Sequence, residues 1–367
     1  MPSFFPAALR LVAYGLFSTL VACGQSSPSA TSSPSSPRSM HPYQTEKFEL
    51  TAGPCAAEGY PVTIQSGVFI GSDGKGFSVP SGHFLDGDWG MSGTVWSSGD
   101  DRHPAPARLS LTWFAYAEDK FYQGEFLLPQ EKIYQLLKQG SWDIEKQKQV
   151  TYNRFIVCVL PKGQVVVWLT GGNQVLIGRF HAQEFTPTPV QYERYYGPAD
   201  RASMVQEERE QLPEPVQAEI KAGTLSSRQW DEYLKTYPWK IEFAQPLTLY
   251  EYSVNLVNAE RTNNPLIREG MDAYRNLILA PSPKALPRKV LLYGQTPFNA
   301  RYLVRVKQFD QDELRAAAEQ LLKEHPGAPL TLYFAIDKPY QKATLSLKND
   351  WRTIPLTKAP VEVLSED

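Results

Sequence analysis

The feature that most constrains the fold of this chain is strict two-residue alternation. Leu109, Leu111 and Trp113 fall on one side of an extended segment, with Ser110 and Thr112 on the other. That period specifies a half-buried strand rather than a helix. Phe121 to Leu128 follows after the turn Glu118-Asp119-Lys120, which predicts a hairpin. Phe155 to Leu160, the turn Pro161-Lys162-Gly163 and Val165 to Leu169 predict a second, more buried hairpin. Gly171-Gly172-Asn173 then turns the chain into a third strand, Val175 to Phe180. One helix interrupts the strands. Pro129 starts it, Ile133, Leu136 and Leu137 form its apolar face, and Gly140 ends it.

The second half repeats this order. Lys47-Phe-Glu-Leu resembles Lys240-Ile-Glu-Phe, and Tyr60-Pro-Val-Thr-Ile resembles Tyr252-Ser-Val-Asn-Leu. Phe121 to Phe126 matches Phe298 to Leu303, each before a helix. The second helix runs from Asp310 to Glu324, followed by strands Leu330 to Ile336 and Ala343 to Leu347. The expected class is α+β: two β-rich domains, each a mainly antiparallel sheet with one principal helix, related by internal duplication. The domains span residues 46–190 and 240–367. Residues 191–239, with a charged run from Met204 to Gln211 and short helical segments at Val216 to Ala222 and Ser227 to Thr236, form a helical connector.

The N-terminus addresses the chain to a membrane. Arg10 precedes an apolar run, Leu11 to Ala22, that ends in Leu20-Val21-Ala22-Cys23-Gly24. The run is too short to span a bilayer, which takes about 20 residues. The layout resembles a bacterial lipoprotein signal, with residues 1–22 removed and Cys23 acylated. Gly24, with no aspartate there, resembles the signal for onward transport to the outer membrane, facing the periplasm. Residues 23–45 are rich in Ser and Pro and form a tether. A coil of that length spans on the order of 25 Å.

Charge excludes one class of partner. Lys and Arg number 37 against 39 Asp and Glu, so no basic stripe exists for nucleic acid. Cys55 and Cys158 remain once Cys23 is lipidated. In an oxidising compartment they are a possible disulfide, or else two small buried hydrophobes. A bridge would contribute ~4–5 kcal/mol in the loop-entropy model.

Chemistry is sparse. His41, His83, His103, His181 and His325 show no ligand spacing, and neither H-E-x-x-H nor C-x-x-C occurs. Asp86-Gly-Asp88 lacks the rest of a calcium loop. Gly90-Met-Ser92-Gly93 misplaces the second glycine of a nucleophile elbow. No metal, no cofactor and no enzymatic activity are expected. The aromatic run Trp113 to Tyr122 carries large rings on both faces. It is either internal packing or a binding surface comprising Trp113, Tyr116, Glu118, Asp119, Lys120 and Tyr122.

Gly59-Tyr60-Pro61-Val62, Asp88-Trp89-Gly90, Trp113-Phe114 through Pro129, Tyr152-Asn153 and Pro161-Lys162-Gly163 together resemble an uncharacterised family of proteobacterial lipoproteins. The resemblance covers mainly residues 46 to 181. The family's motif residues have no assigned catalytic role. Some members resemble immunity proteins beside type VI secretion effectors. The resemblance therefore implies a lipid-anchored protein that binds a secreted toxin, with a structural or assembly lipoprotein of the envelope as the alternative and an envelope enzyme as a third.

Overall fold

The computed structural model describes residues 41–94, 96, 102–143, 146–265 and 272–366. Cys23, the signal and most of the tether lie outside them.

The alternating runs of the first half pair into two sheets. Its main elements are β1 (Thr51–Ala56), β2 (Val62–Ile70), β3 (Gly76–Ser78), β4 (Arg108–Ala115), β5 (Lys120–Leu127), α1 (Gln130–Gln139), β6 (Arg154–Leu160), β7 (Gln164–Thr170), β8 (Gln174–His181) and β9 (Gln183–Phe185). One sheet has the order β9-β5-β4-β2-β3, and the other begins β1-β6-β7-β8. β1 runs parallel to β6; the remaining pairs are antiparallel. Between the sheets lies a core of Ile64, Leu109, Leu111 and Trp113 against Phe155, Val157, Val165 and Val167. Helix α1 closes it with Ile133 and Leu137, which lie one turn apart on one face.

Four helices follow: α2 (Pro189–Tyr196), α3 (Arg201–Gln211), α4 (Glu214–Ala222) and α5 (Arg228–Tyr233). They clasp the outer faces of the first half. Val205 of α3 and Tyr192, Tyr195 and Tyr196 of α2 cover Phe114, Tyr116 and Phe121. Trp230 of α5 covers Ile156, Cys158, Val166 and Trp168 on the back of the other sheet. The sequence reading lacked α2. Thr188 caps it by accepting a hydrogen bond from the Gln191 backbone, in a capping box.

The second half contains β10 (Tyr237–Phe243), β11 (Thr248–Leu256), β12 (Arg261–Pro265), α6 (Asp272–Leu279), β13 (Ser282–Lys284), β14 (Pro287–Gln295), β15 (Arg301–Val306), α7 (Gln311–Glu324), β16 (Leu330–Ile336), β17 (Ala343–Lys348), β18 (Thr353–Pro355) and β19 (Val361–Ser365). Its sheets read β12-β11-β14-β15-β19 and β13-β10-β16-β17-β18. The first half has the same orders, β3-β2-β4-β5-β9 and β1-β6-β7-β8, without a counterpart of β13. The parallel pair β10–β16 stands where β1–β6 stands. One landmark does not correspond: Lys47–Glu49 precedes β1 and pairs with Arg102–Pro104, whereas Lys240 to Phe243 lies inside β10.

The halves share a sheet. β8 pairs with β12, so nine strands run β1-β6-β7-β8-β12-β11-β14-β15-β19. That junction has a single register pair, Gln174 with Arg261. Residues 40–367 form one compact unit.

Cys55 and Cys158 are register partners on β1 and β6, both buried and both free thiols. Of the two readings left open by the sequence, the structure has two small buried thiols rather than a bridge. Directly opposed residues of parallel strands keep their side chains near the ~4.8 Å strand spacing. A disulfide draws its Cβ atoms to ~3.5–4.5 Å. Burial and the neighbouring thiol push the Cys158 pKa up, against thiolate formation.

Candidate functional site

The site of interest is the joint between the halves, and it begins with a strained turn. Gly87, Asp88 and Gly90 have φ of 93°, 72° and 73°. This left-handed run curls the chain so that Trp89 projects towards the second half. Asp86 ties the turn to the first half by accepting from the Gly59 backbone at 2.8 Å. Gly90 lies so close to the second half that an added Cβ would sit 2.1 Å from the Ala259 Cβ.

The turn that joins β11 to β12 meets Trp89 from the other side. Trp89 Nε1 donates to Val257 O at 2.9 Å, and Trp168 Nε1 donates to Asn258 O at 2.9 Å. Gln174 Nε2 donates to both Gly90 O and Ala259 O at 2.8 Å. Glu260 accepts from the Leu176 backbone at 2.9 Å and from Asn258 Nδ2 at 2.8 Å. Asn263 N donates to Asn173 Oδ1 at 2.7 Å. The Trp89 and Trp168 rings meet edge to face at 4.8 Å.

A groove of about 530 Å³ opens beside this contact. Tyr60, Trp89, Trp230 and Tyr233 form its aromatic wall, and Arg288 lies across from them with Gln308. Tyr60 packs edge to face on Trp230 at 5.4 Å, and its hydroxyl donates to Glu219 of α4 at 2.7 Å. Burial first, then the Glu219 carboxylate, raise the Tyr60 pKa, so the phenol stays protonated. A second cavity of about 330 Å³ shares Trp89, Arg288 and Gln308 as walls and adds Arg261, Lys289 and Lys307. Lys307 is paired with Glu362 at 2.8 Å. Among the described residues Arg288 and Lys289 carry no ion pair. Arg261 Nε and Asn255 Oδ1, side by side on the ladder, are buried without hydrogen-bond partners. The groove carries aromatic rings with Glu58 and Glu219 on the first-half side and Arg288 on the second, and the adjoining cavity is the more basic of the two.

The aromatic run singled out in the sequence lies elsewhere and is internal. Trp113 and Tyr122 stack at 5.3 Å inside the first-half core. Tyr116 is buried under α2 and α3, and its hydroxyl lies 2.9 Å from Thr63 Oγ1. The Glu118 carboxylate is only 2% exposed and accepts from the Lys162 backbone and the Tyr122 hydroxyl. Asp119 is held by Arg201 at 2.6 Å and Lys120 by Glu184 at 2.5 Å. As a surface, Trp113, Tyr116, Glu118 and Tyr122 are therefore corrected to interior residues, while Asp119 and Lys120 remain part-exposed in ion pairs. Rings on both faces of a strand mean two covered faces, and the second cover is the helical clasp.

Tyr60 and Trp89 belong to segments that carry the family resemblance, so a signal for them existed, without a role. Trp230 and Arg288 lie far along the chain and reach the groove only through topology.

Fold and site together define a tandem β-sheet scaffold with a helical clasp and a groove of aromatic and charged residues at its joint. The chain belongs to the family described as protein of unknown function (DUF2931), whose model matches residues 33–226. That span includes the first half and helices α2 to α4. No curated protein and no solved structure matches the chain. No helix among the described residues is long and apolar enough to cross a membrane.

Proposed function

We propose that this protein is a lipid-tethered, periplasm-facing binding protein of the outer membrane. Its task is to neutralise a secreted toxin by taking an acidic, aromatic-bearing segment of it into the joint groove. The observation that carries the binding reading is the lining. Tyr, Trp and Arg, the residue types that concentrate interface energy, line two adjoining concavities that share Trp89 and the unpaired cation Arg288, the second also walled by Arg261. A carboxylate seated there gains charge-assisted hydrogen bonds, and a ring beside it packs on Trp89. The immunity role rests on the family resemblance and on acylation at Cys23, which would hold the groove at the membrane where an incoming toxin arrives.

Affinity capture of the native lipoprotein followed by mass spectrometry should recover a co-encoded toxin. Trp89→Ala with Arg288→Glu should weaken that complex at least tenfold, which corresponds to about 1.4 kcal/mol or more. Deleting the gene should sensitise cells to siblings that carry the toxin, and a Cys23→Ser copy should protect less well than the native one. Recovery of a resident envelope protein instead, with unchanged survival, would replace the immunity role by an assembly role. A complex indifferent to both groove substitutions would remove the groove from the account.

A further inference from the structure

A third concavity, of about 320 Å³, enters the core of the second half where α6 crosses the sheets. Val175, Trp239, Tyr252, Val254, Leu277 and Ile278 make it largely apolar. One cation lines it, Lys284 on the edge strand β13. Its ammonium lies 4.2 Å from the centre of the Trp239 ring. It donates to Trp239 O, to Ser282 O at 3.2 Å and to Ser282 Oγ at 2.9 Å.

Among the described residues no carboxylate pairs with it. Glu260, the acid in the same wall, is spent on the Leu176 backbone and on Asn258. The Tyr252 hydroxyl is also engaged, donating to Tyr274 O at 2.8 Å and accepting from Asn264 at 3.0 Å. An ammonium withdrawn from water into apolar surroundings without a counter-ion is unfavourable. Burial accordingly lowers its pKa to about 8, which still leaves it charged at neutral pH. The Ser282 hydroxyl can rotate away and release one N–H towards the cavity.

We propose that this cavity binds an organic monocarboxylate with a single short apolar tail, the carboxylate on Lys284 and the tail between Trp239, Tyr252 and Leu277. The counter-ion missing from the protein is then supplied by the ligand. Small-molecule sites run from ~300 to ~1,000 Å³, and this one lies at the small end, which suits one short chain and excludes a two-chain lipid. The site is separate from the reading of the joint groove and stands or falls independently of it.

The test uses the full chain in its Cys23→Ser form, handled without detergent, and octanoate as probe. Calorimetric titration at neutral pH should show binding of octanoate, with octanol at least tenfold weaker. Lys284→Met should abolish that preference, and Leu277→Trp, which fills the entrance, should abolish binding of both. Near-UV circular dichroism reports whether each variant keeps its fold. Equal affinity for octanoate and octanol, undiminished octanoate binding by a folded Lys284→Met variant, or no binding at millimolar probe would each overturn the proposal.

Discussion

At the scale of single residues, Gly90 controls how closely the halves meet. Its φ of 73° disfavours any side chain, and the Ala259 methyl occupies the space a Cβ would need. Gly90→Ala should therefore cost about 2–3 kcal/mol in urea unfolding, well above an ordinary surface change. A loss under 0.5 kcal/mol would mean that the joint relaxes freely. Lys284 gives a pH signature. Its amine titrates near 8 in the folded state, against ~10.4 in an unfolded chain. Between those values the unfolded chain binds more protons, so stability rises with pH across that window and is lost as pH falls through it. The hydrogen bonds and the Trp239 ring favour the ammonium and offset part of the penalty. Lys284→Met should flatten the rise and gain on the order of 2 kcal/mol below pH 8 relative to the native chain. An identical pH profile in both proteins would show that burial does not penalise the charge.

At the scale of elements, period-two patterning identified the strands, because side chains on a sheet must alternate between core and exterior. It did not reveal what covers each exterior. The sequence left the second face of the Trp113 to Tyr122 run open between internal packing and a binding surface; α2 and α3 lie over Phe114, Tyr116 and Phe121, and neither helix had been marked as one. The groove was less legible still. Tyr60 and Trp89 stood in recognisable segments, but Trp230 and Arg288 join them through sheet order, which local spacing does not encode. Lys284 reads as an ordinary polar edge residue until the cavity beside it is known. The clasp has its own test. Val205→Asp would bury a carboxylate among the rings of Phe114, Phe121 and Tyr196. It should destabilise the fold by about 3 kcal/mol and expose Tyr196 to absorbance perturbation. Unchanged stability would mean that the helices rest only loosely on the sheet.

At the scale of the whole molecule, the shared pairing order of the halves has few simple sources, and we propose internal duplication. Sequence profiles compiled separately for the two halves should align β1 to β8 with β10 to β18 in order. Alignment out of order, or none, would favour convergence on a common layout. The joint is also a mechanical element. If the chain is tethered through Cys23 and binds a partner as proposed, a pull between the two halves is transmitted through it. Most ladders in the shared sheet carry five or more paired positions, whereas β8 and β12 meet at one, reinforced by side-chain hydrogen bonds. Stretched between its ends in an optical trap, the chain should part first at this seam, at low force and reversibly, before either half unravels. Gly90→Ala should lower that first force. A single all-or-none rupture would show the seam to be as strong as the sheets it joins. If it yields first, the molecule behaves as a fuse: a tug strong enough to endanger the fold opens the groove and releases its cargo while both halves remain intact.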